Sequence, residues 1–144
     1  MNIIFKYELK DAIGLPIKSV TVTNEKENNL ILCSYGEEKE EKRFKIDTTI
    51  LELLLKRLGS EIDTVEDQEI PNPPILDGYI NDVEFYANDK VYKYSFKNLD
   101  YYFDEENMKR RDFLGLILNV LMEASNEVEL QVEEAEEYFI LIDE

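Results

Sequence analysis

The first residues alternate. In "NIIFKYEL" (residues 2–9) Ile3, Phe5, Tyr7 and Leu9 fall on one side, a period of two that predicts a half-buried strand. Gly14 and Pro16 break the pattern. "KSVTVT" (18–23) is β-branched and alternating, "NEKENN" is a polar connector, and "LILCSY" (30–35) returns as a strand. The charged stretch "GEEKEEK" (36–42) reads as a loop and "RFKI" (43–46) as a fourth strand, giving an antiparallel meander.

The period then lengthens to that of a helix. Leu51, Leu54, Leu55 and Leu58 form one apolar stripe, and Thr49 precedes Glu52 by three residues, the spacing of a capping box. Lys56 and Arg57 suit a last turn, and Gly59 suits a left-handed stop, so the pattern predicts a helix over about 49–58. Residues 60–78, with Pro71, Pro73 and Pro74, are expected to be a long loop, of a length that is often functional.

Residues 77–103 hold nine of the sixteen aromatic rings. Tyr79, Val83 and Phe85 share one parity, and Tyr92, Tyr94 and Phe96 answer them across the turn "ANDK". Both rows are expected to face one layer of a β-hairpin, 79–86 with 91–97. Tyr86 has the opposite parity, beside Asp82 and Glu84, and is a candidate for an exposed face. Tyr101, Tyr102 and Phe103 lie in a connector and cannot all point inward, so one tyrosine there is a candidate contact anchor.

A second helix is expected over about 105–125. Eight of the ten residues 113–122 are apolar, with a narrow polar stripe of Asp112, Gly115, Asn119, Glu123 and Asn126. So apolar a girth belongs at the centre of a core, or else on an interface between two copies. Glu105 with Lys109 and Glu106 with Arg110 are spaced as ion pairs. "VELQV" (128–132) and "YFILI" (138–142) read as two final strands. The expectation is one α+β domain over residues 1–144, an antiparallel sheet of about six to eight strands with two principal helices.

Charge changes the picture more than composition does. The net charge is −17, and its distribution is uneven. Residues 1–57 balance at ten acids and ten bases, whereas 58–89 carry nine acids and 112–144 carry ten, neither with a single base. Such a field repels nucleic acid and anionic membrane and attracts basic proteins. The one cysteine, Cys33, permits no internal disulfide and suits a reducing compartment. The N-terminus lacks a basic start followed by an apolar run, and the longest apolar stretch is about half the ~20 residues that span a bilayer. A cytoplasmic protein is expected.

Candidate chemistry is sparse. There is no histidine, the commonest general base and metal ligand, and nothing of that kind to activate Cys33. No phosphate-binding glycine motif or nucleophile elbow occurs. Asp100, Asp104 and Glu105 cluster but lack the pattern of a calcium loop. The expectation is a non-enzymatic chain without metal or cofactor.

These observations favour an acidic protein-binding module that covers a basic surface on a partner. The profile is that of small acidic proteins that neutralise toxins, nucleases among them, and of inhibitors that imitate nucleic acid with carboxylates. The expected contact residues are Glu61, Asp63, Glu66, Asp67 and Glu69 in the first base-free block and Glu133, Glu134, Glu136 and Glu137 in the second. Tyr86, Tyr101 and Tyr102 supply the aromatic anchors. The alternatives are a structural homodimer built on the apolar helix 113–122 and a hydrolase using two carboxylates.

Overall fold

A computed structural model describes residues 2–64, 79–97 and 105–127, with the side chains of 63–64, 97, 105–111 and 124–127 left out. Six strands form one antiparallel sheet: β1 (Ile3–Lys10), β2 (Pro16–Thr23), β3 (Leu30–Tyr35), β4 (Lys39–Phe44), β5 (Ile80–Ala87) and β6 (Lys90–Lys97). Their order across the sheet is β4-β3-β2-β1-β5-β6. Two helices accompany it, α1 (Thr49–Thr64) between β4 and β5, and α2 (Glu105–Glu127) after β6. The class is α+β, as the alternation predicts. The expected strands at 128–132 and 138–142 lie outside the described residues, as do Tyr101, Tyr102 and Phe103.

The register explains the one-sided core. One row crosses all six strands as Phe44, Leu30, Val22, Phe5, Phe85 and Tyr92. Every member is apolar, and all but Phe44 are buried. Leu51, Leu55, Leu58 and Ile62 of α1 and Leu114, Ile117, Leu118 and Leu121 of α2 join the same cluster, so both helices pack on this face. The hairpin aromatics behave as expected. Phe85 stacks on Tyr92 at 4.6 Å, and Phe113 of α2 meets Tyr94 edge-on at 5.0 Å. Tyr79 is the exception, standing just before β5 and exposed. Asn88 and Asp89 at the tip both have positive φ, 53° and 61°, the backbone of a tight two-residue hairpin turn.

Three boundaries differ from the sequence pattern, each for a physical reason. β4 occupies Lys39–Phe44, so it overlaps the expected strand 43–46 at Arg43 and Phe44 but begins inside the stretch expected to be a charged loop. Five of its six residues are exposed, so no apolar alternation could betray it, and its charges suit an edge strand. The start of α1 is held by Asp47, whose Oδ1 accepts from the amide of Thr49 at 2.9 Å and its hydroxyl at 2.7 Å. The anticipated cap at Thr49 therefore lies two residues after the observed one. α1 also runs through Gly59 to Thr64, so Gly59 is not a stop and Lys56 and Arg57 are not in the last turn. Gly59 is small because the hairpin tip lies against it. A Cβ there would sit 2.8 Å from Tyr92 Oη and 2.9 Å from Asn88 Nδ2. Asn88 Nδ2 also donates to the carbonyl of Lys56 at 3.1 Å, tying helix to hairpin.

Two buried asparagines complete the frame. Asn29 donates to the Ile46 carbonyl and accepts from the Ile46 amide, both at 2.8 Å, which fixes the chain entering α1. Asn81 accepts a 2.6 Å bond from the Tyr7 hydroxyl in the sheet interior. Burial pushes the Tyr7 phenol well above its ordinary value.

Gly59→Ala is expected to destabilise the fold by about 1 kcal/mol in urea titrations, because the buried Tyr92 ring must shift and the Asn88 side chain must leave the Lys56 carbonyl, a loss larger than the gain in helix propensity. For Tyr7 the neutral form is the one the folded state favours. Its contribution is fully present below the unfolded phenol value near 10 and is lost as pH rises beyond it. Tyr7→Phe should cost about 1 kcal/mol at neutral pH, and the gap to wild type should narrow above pH 10 in stability measurements.

Candidate functional site

The face of the sheet opposite the helices carries the candidate site. Alternation sends Lys6, Glu8 and Lys10 of β1, Asp82, Glu84 and Tyr86 of β5, and Val91, Lys93 and Ser95 of β6 to this side. Tyr86 pairs across with Val91, Glu84 with Lys93 and Lys6, and Asp82 with Ser95 and Glu8. Tyr86 is 49 % exposed and Val91 53 % exposed, whereas Ser19, Ile31 and Cys33 on the same face of β2 and β3 are buried. The outer face is therefore accessible over β1, β5 and β6 and, beyond the buried stretch of β2 and β3, at the edge strand β4.

Two depressions lie there and share Glu84. One, of about 410 Å³, is lined by Lys6, Glu8, Lys10, Asp82, Glu84, Lys93 and Ser95 among others. The other, of about 460 Å³, is lined by Asn2, Ile3, Glu84, Phe85, Tyr86 and Val91. Ile3 reaches it because β1 carries a β-bulge. The register slips between Ile3, opposite Thr23, and Phe5, opposite Val22. Ile4 turns into the core with Phe5, which leaves Ile3 to the outer side.

The charges of the first depression are internally matched. Lys10 Nζ lies 2.7 Å from Asp82 Oδ2 and 3.3 Å from Glu8 Oε1. The hydrogen bond to Asp82 holds the Lys10 ammonium above its ordinary range, against a smaller opposing effect of burial. Asp82 Oδ1 is buried and takes no hydrogen bond from the described residues, so among them this carboxylate is only half satisfied. Lys93 Nζ stands 3.9 Å from Glu84 Oε2, a long pair on a largely exposed lysine. The Tyr86 hydroxyl donates to Asp89 Oδ1 at 3.5 Å. This arrangement can hold polar and cationic groups beside an aromatic ring. Among the described residues no group of three potential ligands is placed to hold a metal ion.

Of the sequence-predicted contact residues, Tyr86 and Glu61 have described side chains. Tyr86 stands on the outer face as expected. Glu61 is exposed, but on α1, the element that covers the opposite side of the sheet. Asp63 lies in the last turn of α1, with its side chain outside the description. Glu66, Asp67, Glu69, Tyr101, Tyr102, Glu133, Glu134, Glu136 and Glu137 lie outside the described residues. So do the side chains of the expected pairs Glu105–Lys109 and Glu106–Arg110. Sequence reasoning missed Ile3 and Val91, whose place beside Tyr86 depends on a bulge and a cross-strand register. In α2, Asp112, Asn119 and Glu123 of the expected polar stripe are exposed and Gly115 is half-buried, and Leu116 is an exposed apolar residue beside them, while most of the apolar girth is buried. Among the described residues no helix is long and apolar enough to cross a membrane. Neither protein-family models nor curated proteins match the chain.

If the Asp82 hydrogen bond is what raises Lys10, then Asp82→Asn should bring the Lys10 titration down toward 10.5, read by NMR of the lysine side chain. Stability should change by no more than about 1 kcal/mol, the scale of a partly exposed pair. What the pair contributes is present below the ordinary lysine value and fades as pH rises past it.

Proposed function

We propose that this chain is a protein-binding module that covers a basic surface on a partner, in the manner of an immunity or antitoxin-type inhibitor. The observation that carries the reading is the segregation of charge. Residues 1–57 carry ten acids and ten bases, whereas 58–89 carry nine acids and 112–144 carry ten, neither with a base. Two base-free acidic blocks in a chain of net charge −17 steer an encounter with a cationic partner. The outer face around Tyr86 then supplies desolvated contact area, as a rigid ring beside aliphatic neighbours does at many interfaces.

The test is calorimetric titration of the full chain against a small basic ribonuclease. Wild type should bind, with affinity falling about tenfold or more between 50 and 200 mM salt, as several screened charge contacts require. Replacing Glu66, Asp67, Glu69, Glu133, Glu134, Glu136 and Glu137 with their amides should flatten that dependence. Absence of binding at low salt, or affinity indifferent to salt and to the amides, would sink the reading.

A further inference from the structure

We infer that the end of the outer face between Glu84 and Tyr86 is a receptor for a guanidinium group, the arginine side chain of a partner protein. The inference rests on the reading above for the sign of the partner, but its evidence is local. The depression of about 460 Å³ contains one carboxylate, Glu84, and one accessible aromatic ring, Tyr86, two residues apart on the same side of β5. Ile3 and Val91 supply aliphatic walls. That set matches arginine part by part. The walls take the methylene stem, the ring face takes the flat cation, and the carboxylate takes the N–H fork.

The site is built to stay open. Tyr86 is held at its hydroxyl by Asp89, which leans the ring without covering it. Glu84 is partly buried, its side chain 29 % exposed, so its charge is less screened than that of a free surface acid. Its cationic neighbour Lys93 is 3.9 Å away with a side chain 74 % exposed, a loose contact that an incoming fork can displace. Lys6, opposite Glu84 on β1, is the other cation facing this carboxylate. By contrast the neighbouring carboxylate Asp82 is committed to Lys10 at 2.7 Å, and its remaining oxygen is buried, so it offers an arriving group little. Lysine would fill the pocket less well than arginine, because an ammonium cannot both lie flat on the ring and present two donors to one carboxylate.

The test uses the full chain and three capped tripeptides, Gly-Arg-Gly, Gly-Lys-Gly and the uncharged Gly-citrulline-Gly, followed by NMR. The arginine peptide should move the Ile3 and Val91 methyl and Tyr86 ring signals and bind about three times or more as tightly as the lysine peptide. The citrulline peptide should move nothing. Tyr86→Ser should erase the preference for arginine, and Glu84→Gln should abolish binding of both cations. Both variants should melt within about 2 °C of wild type, since the side chains sit on an accessible face. Unmoved signals at tens of millimolar arginine peptide, equal binding of arginine and lysine, or an unaffected Glu84→Gln would overturn the inference. If the chain still binds the basic ribonuclease in a salt-dependent way, the pocket alone is wrong. If it binds neither probe, the wider reading falls with it.

Discussion

The structure depends on one apolar row. Phe44, Leu30, Val22, Phe5, Phe85 and Tyr92 follow one another across all six strands, and the two helices close over them. Each fully buried large side chain in such a row contributes about 1.5–3 kcal/mol relative to exposure, so the row outweighs any single polar contact in the molecule. It also fixes register. A slip of one residue in any strand would carry its apolar members to the opposite face and bring charged neighbours inward. Because alternation is strict, setting Phe5 against Phe85 also sets Lys6 against Glu84 and, through Phe85 and Tyr92, Tyr86 against Val91. The outer surface is thus specified by the core beneath it.

The legible parts of the fold are those where packing writes a period into the chain. β1 and the hairpin alternate because one face of each is buried, β3 reads as a continuous apolar run because Leu30, Ile31, Leu32 and Cys33 are buried on both faces, and α1 shows its stripe because Leu51, Leu55 and Leu58 all reach the core. The first four residues of β4 left no such mark, since this is an edge strand held by pairing to β3 and only Phe44 of it comes near the core. Gly59 misled for another reason. A glycine near the end of a leucine stripe has the composition of a stop, yet here the missing side chain makes room for Tyr92 and Asn88. That demand is tertiary and has no local signature. Asn29 and Asn81 were silent for the same cause, as their partners Ile46 and Tyr7 are 17 and 74 residues away.

Of the site, Tyr86 was legible because its parity separates it from the inward rings. Its surroundings were not, because a bulge turns Ile3 outward and register alone brings Val91 opposite. The carboxylates chosen for their density along the chain and the ring chosen for its parity are two different kinds of signal. Density speaks to the field around the molecule. Parity speaks to which groups a partner can touch.

That distinction bears on how an acidic protein can be selective. On the outer face the charges are matched: Glu84 stands between Lys6 and Lys93 across the strands, and Lys10 bridges the facing acids Glu8 and Asp82. A face neutralised in this way cannot recognise a partner by counting charges, because every carboxylate it offers would first have to leave a lysine. On the proposed reading the attraction comes from charge that is not so matched, the acids of 61–77 and 112–144, stretches without a base. Long-range charge of one sign speeds every encounter with a basic surface and discriminates poorly among them. On the same reading discrimination falls to short-range shape, where the charge pairing is loosest, at Glu84 beside the exposed Tyr86. A partner bearing only lysines would feel the same field as one bearing arginine, and would lose the stacking that the ring makes possible.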